Sequence, residues 1–79
     1  MRVIEKGSNK IVYMDDTGRY LKSYKSVVAH IDNSGHVTLG PHWDYSNTTM
    51  KQVFAFIGTR ASETRKHIDS GLYSYNGEM

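Results

Sequence analysis

Between Gly40 and Ile57 a strand region gives way to a helix, and a chain this short must be built around that junction. The stretch Gly-Pro-His-Trp-Asp-Tyr-Ser-Asn-Thr-Thr-Met-Lys-Gln-Val-Phe-Ala-Phe-Ile holds the only tryptophan and the only proline of the chain. Thr49 followed three residues later by Gln52 reads as a capping box, the threonine hydroxyl taking one free backbone N–H and the glutamine reaching back to another. A helix is therefore expected to begin near Thr49. From there Met50, Val53, Phe54 and Ile57 recur at i, i+3, i+4 and i+7, so one apolar face should point at a sheet supplied by the preceding residues. Trp43 is expected in the core or at its edge, because a small domain needs its largest side chain for burial.

The 79 residues make one domain, since a core of this size buries only ~60% of the unfolded surface and cannot be divided further. That domain is expected over 1–72, with 73–79 a tail that frays. There is no cysteine, so neither disulfides nor a thiolate metal site can reinforce the fold, and the natural reading is a cytoplasmic protein. The N-terminus lacks the apolar run of a signal peptide, and no segment approaches the roughly 20 apolar residues of a membrane span. A formal charge of +2 is too mild for the basic footprint of a dedicated DNA-binding domain, and it leaves self-association as a homodimer open.

Val3-Ile4 and Lys10 to Met14 read as strands separated by the turn cluster Gly7-Ser8-Asn9, and Arg19 to Tyr24 as a third after Asp15-Asp16-Thr17-Gly18. Ser26 to Asp32 and His36 to Leu39 form a hairpin. If Asp32 opposes His36, then Ile31 meets Val37 and Ala29 meets Leu39, whereas a slip by one pairs Ile31 with His36. Gly35 then sits at the third position of a three-residue loop, where a left-handed residue is wanted, and Gly18 is expected at the same place in Asp16-Thr17-Gly18. Gly40-Pro41 ends the hairpin. Gly58 should stop the main helix, and Ser62 should cap a short second helix closed by Gly71. The expected class is α+β: an antiparallel sheet of about four strands built from hairpins, one main helix packed on one face and a short C-terminal helix.

Several groups invite a chemical reading. Ser46, His42 and Asp44 lie close in sequence, but in an extended segment they point alternately to opposite sides, so no triad geometry is expected. His30, His36, His42 and His67 with Asp44 have no metal-motif spacing; neither metal nor cofactor is expected. Thr48, Thr49 and Lys51 stand at a helix N-terminus that favours anions, although capping alone explains both threonines. In a strand Tyr20, Lys22 and Tyr24 share one face, which with Lys25 suits the stacking of bases; the plainer reading is a solvent-facing strand. Trp43 and Tyr45, two apart, would point the same way.

From Trp43 to Phe56 the chain resembles an uncharacterised family of short proteins, frequent in bacteriophages, that share a W-x-Y-S-x-T-T-x-[KR] pattern leading into a helix. The hairpin from Ser26 to Gly40 and the Leu21-x-Ser23-Tyr24 entry are similar in placement, so about half the chain is covered. The resemblance implies phage or mobile-element origin and carries no catalytic or binding residue. Small phage proteins of this size commonly act by binding a host macromolecule, which makes inhibition of a host or defence-system protein, for example an anti-CRISPR role, the expectation from class alone. The expected activity is thus non-enzymatic protein binding, with Tyr20, Lys22, Tyr24, Lys25, Tyr45 and Lys51 as contact residues and Trp43, Thr49, Gln52, Phe54 and Ile57 as structural ones. The alternative is nucleic-acid binding through the basic, aromatic strand.

Overall fold

The computed structural model describes residues 1–79, which run β1 (Arg2–Gly7), β2 (Lys10–Asp15), β3 (Gly18–Ser23), β4 (Ser26–Asp32), β5 (Val37–Leu39), α1 (Asn47–Ile57), α2 (Ala61–Ser70) and β6 (Ser74–Tyr75). The strands form one sheet in chain order, antiparallel from β1 to β5, with β6 parallel to β5. The α+β class and the hairpin-built sheet are as expected, but there are six strands and not about four. The least legible of them is β6, in the segment expected to fray. Gly71, left-handed at φ 84°, closes α2 and turns the chain back toward the free edge of β5. There the Asn76 N–H donates to the Leu39 carbonyl at 2.9 Å. A two-residue strand carries no periodic signal of its own.

Register decides which side is core. Leu21 stands opposite both Val12 and Ala29, and Ala29 opposite Leu39, so these four make an apolar row across the sheet. Val28, Val37, Trp43 and Val53 complete the buried cluster, and Phe56, Ile57, Ala61 and Ile68 from the helices pack against it. Both helices therefore lie on this face. The other face carries a second row, Val3, Tyr13, Tyr20, His30 and Thr38.

The β4–β5 hairpin has the expected register, with Ile31 opposite Val37 and Ala29 opposite Leu39. Gly35 is left-handed at φ 91°, and the Asp32 N–H donates to the His36 carbonyl at 3.0 Å. The β2–β3 turn is different, because Asp15 pairs with Gly18 and leaves only Asp16-Thr17 in the loop. Gly18 is thus a strand residue at φ 139°, needed because a Cβ there would lie 2.2 Å from the Ile31 carbonyl oxygen. What the two turns do share is an aspartate. Asp15 Oδ1 accepts the N–H and hydroxyl of Thr17 at 2.8 and 2.7 Å, and Asp32 Oδ1 those of Ser34 at 3.0 and 2.7 Å.

The main helix starts earlier than Thr49. Ser46 is its N-cap, with extended backbone and a side-chain oxygen that accepts the Thr49 N–H at 3.2 Å. Thr49 is instead a buried residue of the first turn, and Gln52 reaches across to the sheet, where its Oε1 accepts the Ser23 hydroxyl at 2.5 Å. The stripe facing the core is Thr49, Val53, Phe56 and Ile57, at i, i+4, i+7 and i+8, the first two buried and the last two half-buried. Phe54 is not on it. One residue past Val53 it is rotated by about 100°, is 41% exposed, and lies under the Arg60 guanidinium at 5.0 Å. Gly58 closes α1 in the left-handed region, as expected. The second helix begins at Ala61 with Arg60 as N-cap and no side-chain cap, so Ser62 lies inside its first turn. The buried Thr64 anchors that turn, its hydroxyl donating to the Arg60 carbonyl at 2.9 Å.

Candidate functional site

Tyr24 is the one non-glycine residue with positive φ, at 54°. Ser23 pairs with Ser26, so Tyr24-Lys25 is a two-residue hairpin turn whose first central position is one that glycine ordinarily fills. A tyrosine there costs about 1–2 kcal/mol in backbone strain. Its N–H donates to the Asn9 carbonyl at 2.8 Å, which ties this turn to the loop between β1 and β2 and holds the conformation.

The strained backbone swings the Tyr24 ring off the strand face carrying Tyr20 and Lys22 and brings it to Tyr45. The two rings stand 6.1 Å apart at 70°, and His42 meets Tyr45 edge-on, also at 6.1 Å. They border a groove of about 470 Å³ between the β3–β4 turn and the start of α1. The buried Val28, Ser23 and Thr49 form its floor, while Lys25, His42 and the two tyrosines, 47% and 69% exposed, form its rim. Under the floor the Ser23 hydroxyl, which donates to Gln52, also lies 3.2 Å from the Thr49 hydroxyl, and Thr49 lies 3.1 Å from that of Ser46. The base of the groove is thus a closed hydroxyl network joining β3 to α1.

Of the expected contact residues, Tyr24, Lys25 and Tyr45 gather at this groove. Lys51 is exposed one turn into α1 and does not line it. Tyr20 and Lys22 belong to the opposite sheet face, so the expected platform of Tyr20, Lys22 and Tyr24 is divided. The Tyr20 ring is sandwiched, stacked on Tyr13 at 5.0 Å and on His30 at 4.2 Å, both at 16°. Its hydroxyl hydrogen-bonds to that of Thr17 at 2.6 Å. Burial first, then the neighbouring Tyr20 and Asp15, push the Tyr13 hydroxyl above its usual pKa. Trp43 and Tyr45 diverge, because residues 41–44 form turns and not a strand; Trp43 is 5% exposed in the core.

Ser46, Asp44 and His42 each have a different partner. Ser46 caps α1, Asp44 accepts from Arg65 Nη2 at 2.9 Å, and the same guanidinium lies 5.1 Å over the Trp43 ring. The other histidines are dispersed: His30 on Tyr20, His36 hydrogen-bonded to the Ser74 hydroxyl at 2.7 Å, His67 between Glu63 and Tyr73. Sequence reasoning missed Ser23, Ser26 and Val28 as groove residues and considered His42 only for catalysis or metal. Ser46 as N-cap was within reach of the sequence, since serine ahead of a periodic apolar run is the commonest start signal.

Residues 2–71 match a family of unknown function, DUF8033, and the chain belongs to that family. Comparison with curated proteins and with solved structures gave no match. No helix is long and apolar enough to cross a membrane.

Proposed function

We propose that this chain is a small bacteriophage-type protein-binding module that acts stoichiometrically on a host or defence-system protein in the cytoplasm, and catalyses no reaction. The observation that carries the reading is the groove rimmed by Tyr24 and Tyr45. A bulky residue held in a strained backbone so that its ring faces a second exposed ring is an arrangement the fold itself does not need, and strain of this kind gathers at binding sites. Tyrosine is also enriched among the residues that dominate protein interfaces. The phage assignment draws on the resemblance carried by Trp43 to Phe56 and the preceding hairpin, and an anti-CRISPR role on what small phage proteins of this size commonly do.

The test is a pull-down from host lysate with the wild-type chain and with Tyr45→Ala, followed by mass spectrometry. A protein retained by the first and lost by the second is the expected result. Recovery of nothing above background, including no second copy of the chain, would refute the reading. Nucleic-acid binding is the second reading and draws on Lys25 beside the same two rings. Against it stands Tyr20, both of whose ring faces are already covered and closed to bases. A gel shift at low salt decides, because phosphate binding must weaken steeply as salt rises.

A further inference from the structure

We propose that the occupant of the Tyr24–Tyr45 groove is a short acidic peptide segment of the partner, with carboxylates flanking one apolar side chain that packs against the tyrosine pair over Val28. This rests on the protein-binding reading and specifies its ligand. Charge complementarity is the argument. No carboxylate lines the groove; its one charged side chain is Lys25, and His42 beside it offers a ring N–H to an acidic group. Thr49 is the α1 residue that lines the groove, and the first turn to which it belongs carries no acidic residue. Asp44, the acid nearest in sequence, is held by Arg65 and so does not offset the Lys25 charge.

The apolar half of the ligand follows from the rim and floor. Tyr24 and Tyr45 stand at 70° to one another and present ring faces and edges above the buried Val28, which suits one aliphatic or aromatic side chain. A polynucleotide fits less well, since one lysine on the rim neutralises one phosphate, and tight binding to nucleic acid draws on several such contacts. A peptide needs only a carboxylate or two beside its anchor.

The experiment is selection of a displayed random-peptide library on the immobilised full-length chain, with counter-selection on Tyr45→Ala. The strongest sequence is then synthesised with a fluorophore and titrated by anisotropy against wild type, Tyr45→Ala and Lys25→Glu. Enrichment of Asp and Glu around an apolar residue is expected, with affinity about 30-fold lower in Tyr45→Ala, as for an interface anchor. Lys25→Glu should weaken binding as well, and salt should weaken it in wild type more than in that variant. The proposal is overturned if nothing is enriched, or if the selected peptides show no acidic excess, or if either variant binds as wild type does. It is also overturned if a single-stranded oligonucleotide binds more tightly than the selected peptide and is lost in Tyr45→Ala. Basic or neutral peptides that still depend on Tyr45 would sink the acidic ligand while leaving the protein-binding reading intact; failure of the lysate pull-down would sink that reading.

Discussion

Replacing Tyr24 by glycine and by alanine, and comparing the two, tests the strain at the groove rim without any knowledge of the ligand. Both substitutions remove the ring and its contact with Tyr45, so that loss cancels in the comparison. Alanine keeps a Cβ in the left-handed region at φ 54°, which costs about 1–2 kcal/mol, and glycine does not. Glycine in turn loses about 0.4–1 kcal/mol through the greater freedom of its unfolded chain. The difference leaves Tyr24→Gly more stable than Tyr24→Ala by roughly 0.5–1 kcal/mol, or ~2–8 °C in melting temperature for a domain of this size. Lys25 supplies the control. It is the other half of the turn and has no positive φ, so Lys25→Ala should be the more stable of its pair, the ordinary order. Urea denaturation followed by circular dichroism reads all four variants. If the alanine variant equals or exceeds the glycine variant at position 24, the residue is not held in the left-handed region, and the argument from strain to function falls.

Ser46→Ala should cost about 0.5–2 kcal/mol by removing the cap of α1, and Ser46→Asp, which caps as well and favours the helix dipole, should cost far less; equal losses in thermal melts would put the cap elsewhere. Gly18→Ala should cost about 3 kcal/mol or more, because the new Cβ meets backbone, the Ile31 carbonyl, which no rotamer can relieve; a melting temperature within a degree or two of wild type would contradict the strand pairing drawn there. Hydrogen bonds from Thr17 and from Ser34 and His36 hold the Asp15 and Asp32 carboxyls below their ordinary pKa of 3.8. A folded-state value that is depressed stabilises the fold above the unfolded pKa, and the contribution disappears as pH falls through the folded one. The acid limb of a stability–pH profile, below about pH 4, should therefore be shallower in Asp15→Asn and Asp32→Asn, and an unchanged limb would show that those bonds do not form in solution.

How much of this could be read from the chain depended on whether a signal was local. The Ser26 to Leu39 hairpin was legible because only one register puts Ile31 on Val37 and Ala29 on Leu39, and the left-handed glycines at 35, 58 and 71 need no tertiary context. The start of α1 was misplaced because two capping signals overlap in Ser46-Asn47-Thr48-Thr49-Met50-Lys51-Gln52. Burial against Ser23 decided between them by turning Thr49 and Gln52 inward. Phe54 was wrongly put on the buried face because a helix pattern of i, i+3 and i+4 does not say how wide a stripe the sheet will cover. The divided platform had the same cause. Alternation along β3 predicts that Tyr20, Lys22 and Tyr24 share a side, and a positive φ at the third of them breaks the alternation where no glycine announces it.

That break explains why the groove, and not the open sheet face, is the better candidate for a binding site. On the open face the aromatic groups satisfy one another. Tyr13, Tyr20 and His30 stack in a row, and the hydroxyl of Tyr20 is tied back to Thr17. The row is half-buried without a partner, and its ring faces are spent on neighbours within the chain. Tyr45 is in the opposite condition, 69% exposed, in T-shaped rather than stacked contact with Tyr24 and His42, and standing above a floor whose hydroxyls are already paired. Removing a ring from the stack should therefore lower the stability of the free protein, whereas removing Tyr45 should change little but binding. Tyr20→Ala leaves two stacked neighbours without their middle member, and the loss should approach about 3 kcal/mol, toward the lower end for an aromatic truncated to alanine. Tyr45→Ala should stay within about 0.5 kcal/mol, the range of an ordinary surface change. Thermal melts of the two variants decide: a large loss for Tyr45→Ala would make that ring part of the fold, and with it the strongest reason for calling the groove a site would be gone.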